Sequence, residues 1–215
     1  MQQDMLGRGP FVSLLENIIV QKTNTREGFS FAIDGKWGCG KSWILKELEQ
    51  KLDLKNYLVI HYNCWENEYY EEPLVAILSV IIDKLNQLQD KISDKNKKDR
   101  IQIALKFFAE VISTILTNKF GIGFNEFLES GKKAIAEDKA PTISKDFDKN
   151  QSLKDALAAV RENLLQLTNV LSESKDVFEN VIIVVDELDR CLPEYAVKVL
   201  ERLHHIFEEI STCTV

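Results

Sequence analysis

Along this chain, short apolar runs alternate with longer stretches in which apolar residues return every three to four positions. Residues 10–19 predict a helix: Pro10 suits a first turn, and Phe11, Leu14, Leu15, Ile18 and Ile19 fall on one face. Residues 29–34 (FSFAID) alternate and are rich in β-formers, which predicts a strand. A glycine-rich turn leads into a helix over 41–52. Residues 57–62 (YLVIHY) are almost continuously apolar, as expected of a parallel strand covered on both sides. Pro73 opens a helix whose buried side carries Leu74, Ile77, Leu78, Ile81, Ile82, Leu85 and Leu88. The most polar stretch, 129–151, reads as a linker or mobile loop. Ser152 with Asp155 resembles a capping box opening a helix to about residue 171. Residues 181–185 (VIIVV) form a third apolar strand ended by Asp186. Pro193 starts a helix with Ala196, Val199, Leu200, Leu203, Ile206 and Phe207 on one face, and residues 212–215 begin a further strand. Strands alternating with helices predict a parallel sheet covered on both faces, with ligands at the carboxyl ends of its strands.

Composition narrows the function classes. The chain has 215 residues, 45% hydrophobic and 28% charged, as in a globular protein. Its 27 Lys+Arg against 34 Asp+Glu give a net charge of −7, which argues against nucleic-acid binding driven by phosphate neutralisation. The basic run Lys95, Lys97, Lys98, Arg100 is broken by Asp94 and Asp99 and reads as a solvated helix end or loop. Cys39, Cys64, Cys191 and Cys213 form no CxxC pair, and His204 and His205 are adjacent on a helix, so a metal site of zinc type is not expected. Scattered thiols and the absence of a signal-peptide pattern at MQQDMLGRG suggest a cytoplasmic protein. Residues 101–117 (IQIALKFFAEVISTILT) are strongly apolar, but Gln102, Lys106, Glu110 and Thr117 form a narrow polar stripe. A buried or interface helix fits this better than membrane contact, and a true span would place charges near the bilayer centre.

The strongest chemical signal is Gly35-Lys36-Trp37-Gly38-Cys39-Gly40-Lys41-Ser42, which fits GxxxxGK[ST] between a predicted strand and a predicted helix. A phosphate chain needs several backbone N–H groups aimed inward, and glycines allow the loop to bend that way. The following helix turns its positive end to the same phosphates. Lys41 supplies a point charge at the β- and γ-phosphates, and Ser42 offers a hydroxyl to Mg²⁺. The loop and its next residue, Trp43, are therefore assigned to the nucleotide. A second signal is the apolar strand that delivers Asp186 and Glu187 at its end. Asp186 would hold Mg²⁺ beside Ser42, and Glu187 would act on the water facing the γ-phosphate, as base or orienter. Asp189 and Arg190 could form a helix-start charge pair, reach the nucleotide, or reach a neighbouring subunit. Asn63, at the end of the second strand, could hold Glu187 off line or simply cap a turn. Trp65 reads as a core anchor. Cys39, inside the phosphate loop, is expected to be reactive.

Together these residues resemble the KAP family of P-loop NTPases. The likeness rests on the GxWGxGKS loop at 35–42, the NxW element Asn63-Cys64-Trp65, and Asp186-Glu187-Leu188-Asp189-Arg190-Cys191 followed by Pro193. It extends to Gly7-Arg8…Phe11 and to residues 194–197, covering roughly 6–92 and 155–215. The resemblance implies ATP binding and Mg²⁺-dependent hydrolysis, and in bacteria often a role in phage exclusion or related defence. Family members commonly carry transmembrane helices between the two nucleotide motifs, where this chain has 101–117. Their sheet has a further central strand with a polar sensor residue, then a C-terminal part, so this chain is expected to be an N-terminal fragment of that domain.

The expected fold is thus a three-layer α/β P-loop domain made of residues 1–92 and 155–215, with a mostly helical insertion and polar linker at 93–154. The expected function is ATP binding and hydrolysis acting as a switch, with ATP and Mg²⁺ as cofactors and a protein partner or self-association. A nucleotide-gated scaffold with little turnover and a small-substrate phosphotransferase are the alternatives.

Overall fold

A computed structural model describes residues 4, 6–23, 29–55, 57–90, 92–116, 149–172, 181–207 and 212–214. Its elements are α1 (Gly9–Thr23), β1 (Phe29–Ser30), α2 (Lys41–Asp53), β2 (Leu58–Asn63), α3 (Pro73–Gln89), α4 (Lys95–Leu116), α5 (Lys149–Ser172), β3 (Val181–Asp186), a 3₁₀ turn (Leu188–Arg190), α6 (Pro193–Phe207) and β4 (Thr212–Thr214). The strands form one parallel sheet in the order β1-β4-β3-β2. β2 and β3 share six residues of register, from Leu58 opposite Val181 to Asn63 opposite Asp186. β4 separates β1 from β3, with Phe29 opposite Cys213 and Ile182 opposite Cys213 on its two sides.

Alternate side chains of β2 and β3 enter two different cores, which is why both strands read as continuously apolar. Val59, Ile182 and Val184 join Val12, Leu15 and Ile19 of α1 and Ile44, Leu45, Leu48 and Leu52 of α2. Leu58, Ile60, Val181 and Ile183 join the apolar faces of α3 to α6. Within this second core, Ile101, Ala104, Phe107, Phe108 and Val111 of α4 are buried with residues of α3 and α5. The apolar segment at 101–116 is therefore an interior helix face; among the described residues no helix is long and apolar enough to cross a membrane. One ion pair ties the second core to the strand ends. Arg202 on α6 donates from Nε to Oε1 of Glu72 at 2.8 Å and from Nη2 to Oε2 at 3.3 Å. Oε1 also accepts the Leu74 N–H, so Glu72 caps α3 with the same carboxylate.

Several elements differ from the sequence expectation. Only Phe29 and Ser30 of the 29–34 segment enter the sheet, opposite Cys213 and Thr214 of β4. α5 begins at Lys149, so Ser152 lies within its first turn and is not its cap, and the linker expectation for 129–148 falls outside the described residues. On α6 the buried face runs through Tyr195, Val199, Leu203 and Ile206, leaving Leu200 47% exposed. The basic run opens α4, where Asp94 Oδ1 accepts from the N–H of Asn96 and Lys97, and Lys97 itself is buried rather than solvated.

β2 is the outer strand of the described sheet, and its His61 lies on the α2 side, hydrogen-bonded through Nδ1 to Glu49 Oε1 at 2.5 Å. The pair borders a small cavity, about 230 Å³, with Asp53 of α2 and Asp83 and Lys84 of α3 on its walls. Glu49 first, and Asp186 and Glu66 more weakly, raise the His61 pKa despite partial burial. A raised histidine pKa stabilises the fold fully below the unfolded value, near 6.5, and that contribution is lost as pH rises through the folded value. Melting temperatures measured across this window should therefore fall with rising pH. Glu49→Gln should flatten that part of the curve, and an unchanged slope in the variant would remove His61 as its source.

Candidate functional site

The candidate phosphate loop leaves β1 and turns through two left-handed glycines, Gly38 (φ 79°) and Gly40 (φ 90°), before α2 begins at Lys41. Gly40 is the N-cap of α2 and offers no side chain, so the first-turn N–H groups of α2 are left for an anion to accept from. A Cβ on Gly35 would lie 2.7 Å from Cys39 Sγ, so that side chain would have to shift; at Gly40 a Cβ would displace only the mobile end of Arg8, and the left-handed φ is what calls for glycine. The loop is thus folded tightly on itself, with Cys39 N–H donating to the Lys36 carbonyl at 3.1 Å. Lys41 is curled back across it, Nζ donating to the Gly35 carbonyl at 2.8 Å. Ser42 is exposed on the first turn, while Trp43 is half-buried with its indole N–H shielded from solvent and without a hydrogen-bond partner.

Arg8 is the residue of this region that the motif alone did not assign. It precedes α1, lays its guanidinium on the Trp43 ring (4.1 Å to the centroid) and donates to the Cys39 carbonyl at 3.4 Å. Asp4 steadies it at 3.6 Å, and the Asp4 carboxyl is held below its usual range first by the backbone N–H of Arg8. The resemblance takes in Gly7-Arg8 but gives Arg8 no role; the fold is what brings it to the loop.

Because β1 and β3 are parallel, the loop and the carboxylates of β3 emerge at the same end of the sheet. Asp186 closes β3 opposite Asn63, its carbonyl accepting the Cys64 N–H at 2.9 Å. Its Oδ1 accepts the Glu187 N–H at 2.9 Å. Glu187 is left-handed (φ 60°), the one non-glycine residue with positive φ among the described residues, and it starts the 3₁₀ turn. Its carboxylate Oε2 is in ionic contact with Nε of Arg190. Asn63 does not reach toward that carboxylate in this arrangement. Its Oδ1 accepts the Glu66 N–H at 3.1 Å and its carbonyl accepts from Asn67 Nδ2 at 2.8 Å, so it caps the turn after β2. Trp65 departs from expectation: it is 54% exposed, not a core anchor, and its ring lies 5.7 Å from the Arg190 guanidinium carbon. Asp189 and Arg190 are both exposed on the 3₁₀ turn.

Beneath these strand ends lies a buried shelf of Tyr62, Cys64, Cys191 and Tyr195. The Tyr62 and Tyr195 hydroxyls are 3.0 Å apart, and Tyr195 donates to the Asn67 carbonyl at 2.7 Å. Burial pushes Tyr195 up to about 12 and raises Tyr62 further, and it likewise raises the thiols of Cys64 and Cys191. Cys39, in contrast, is exposed on the loop. Thiolate, not thiol, is the nucleophile, and access limits its rate. Alkylation followed by mass spectrometry should therefore modify Cys39 well before Cys64 and Cys191, and Mg-ATP should protect it. Modification of Cys39 at one rate with and without nucleotide would place the phosphates elsewhere.

Among the described residues no three His, Cys, Asp or Glu side chains cluster as a metal cage. The site instead offers hard oxygen donors, the Ser42 hydroxyl and the Asp186 carboxylate, a set that suits Mg²⁺ shared with phosphates rather than a cation held by protein alone. The sequence matches the KAP family P-loop domain over residues 8–213. No match was found among curated proteins. The match takes in Arg8, the loop, the strand-end carboxylates, β1 to β3 and the first two residues of β4. With nearly the whole chain inside it, this protein belongs to the KAP family of P-loop NTPase domains.

Proposed function

We propose that this protein binds Mg-ATP at the loop 35–43 and hydrolyses it, using the nucleotide state as a switch. The observation that carries this reading is the loop itself: two left-handed glycines, an uncapped helix start, and the Lys41 ammonium turned in to the Gly35 carbonyl. Such a loop presents donors to a polyphosphate with little rearrangement, and the family supports nucleotide hydrolysis in general. Lys41 would hold the β- and γ-phosphates. Ser42 and Asp186 would hold Mg²⁺, which when bound neutralises phosphate charge. Glu187 would take the proton of the attacking water, once its carboxylate faces the phosphate side. The helices on both faces of the sheet fit a three-layer arrangement, with α4 and the start of α5 as the helical insertion. A role in bacterial phage defence, through a protein partner or self-association, is the biological setting that the resemblance suggests.

The ion pair between Arg190 and Glu187 favours one second reading, a nucleotide-gated scaffold with little turnover, since it occupies the candidate base. A phosphate-release assay with Mg-ATP, run beside a binding titration, separates the two. Release at many turnovers supports the hydrolase, tight binding without release supports the scaffold, and neither would remove the nucleotide reading.

A further inference from the structure

The reading of Glu187 as base leaves a question that the sheet order answers. The phosphate loop follows β1, at one side of the sheet, and β2 lies at the other, with β4 and β3 between them. Glu187 follows β3. Its carboxylate contacts Arg190, and the Arg190 guanidinium in turn faces Trp65, which belongs to the turn after β2. The carboxylate is therefore engaged on the β2 side, away from the loop. The local backbone reinforces this. Glu187 sits at positive φ with its N–H on Asp186 Oδ1 and its carbonyl accepting the Arg190 N–H at 3.2 Å, so the turn holds both partners of the ion pair one above the other. A carboxylate engaged by a guanidinium has less capacity to orient and deprotonate water. The contact is sheltered on one side only: the Glu187 side chain is 18% exposed, whereas the Arg190 side chain is 46% exposed and Trp65 stands in solvent, so the guanidinium can swing into water while the carboxylate stays in place.

Resting on that reading of Glu187, we propose that Arg190 is a positioning residue that keeps Glu187 turned to the β2 side, with Trp65 as its platform, and that turnover proceeds when this pair parts. Arg190 acts through Glu187 and contributes no bond to the reaction. Asn63, which caps its own turn, is not the restraint.

The test compares steady-state ATP hydrolysis by the full chain and its variants. Arg190→Gln should raise kcat on the order of tenfold, as the productive carboxylate orientation ceases to be a minor population, and leave KM unchanged. Arg190→Lys should keep the wild-type rate, and Arg190→Gln combined with Glu187→Gln should fall to the rate of Glu187→Gln alone. Trp65→Leu removes only an exposed ring and should raise kcat in the same direction, which keeps the test alive should Arg190→Gln fail to fold. A spectroscopic arm uses 5-fluorotryptophan protein: the Trp65 fluorine signal should shift alike in Arg190→Gln and Glu187→Ala, since either change frees the ring from the paired guanidinium. A folded Arg190→Gln at or below the wild-type rate overturns the proposal, as does a Trp65 signal that ignores Glu187→Ala. Wild-type turnover by Glu187→Gln sinks the assignment of the base instead, and absence of hydrolysis in every variant removes both.

Discussion

Replacing Lys41 by alanine is expected to weaken ATP binding by roughly one to two orders of magnitude while leaving the melting temperature in place. The ammonium sits at the centre of the loop, held by the Gly35 carbonyl at 2.8 Å, and is half-buried, not part of either core. A hydrogen bond to a charged group contributes about 1.5–3 kcal/mol, and 1.4 kcal/mol is a factor of ten in affinity. Arginine should not substitute well, since a branched fork does not fit where a point charge reaches through a tight turn. Isothermal titration with Mg-ATP, beside a thermal melt, measures both quantities. Equal affinity at equal stability would remove the phosphate-loop assignment.

The second large effect is on turnover. Glu187→Gln should bind Mg-ATP with near wild-type affinity yet lose about 10²–10⁴-fold in kcat, the usual share of a general base. The amide keeps the shape of the side chain and the backbone N–H to Asp186 Oδ1, so the left-handed turn survives. It cannot take a proton. Asp186→Asn should act differently, weakening the dependence on Mg²⁺ concentration, because a neutral amide is a poor ligand for a hard dication. A rate for Glu187→Gln equal to wild type would place the base elsewhere.

Much of this site was legible before any coordinates because its chemistry is local. The phosphate loop compresses glycines, a lysine and a serine into eight consecutive residues, and the carboxylates follow directly on an apolar strand; both survive as patterns in one dimension. The two cores were legible for a related reason, since β2 and β3 bury alternate residues on opposite sides and so read as unbroken apolar runs. What was not legible depended on partners far along the chain. Trp65 reads as a core residue on size and apolarity, yet the turn capped by Asn63 leaves it in solvent beside Arg190. Arg8 reaches the loop from 31 residues before Cys39, and nothing between them marks the contact. β1 pairs through only two residues of its alternating segment, and the strand it pairs with, β4, is made some 180 residues later.

That last pairing also orders events in time. A chain made from its N-terminus has completed β1, β2 and β3 before the strand that belongs between them exists. β2 and β3 can find their six-residue register as soon as both have left the ribosome, but β1 meets the rest of the sheet only through residues 212–214. A nascent chain can therefore pack α2 against β2 and β3 through their shared core, while β1, the strand from which the phosphate loop leaves, gains its place in the sheet only when residues 212–214 arrive.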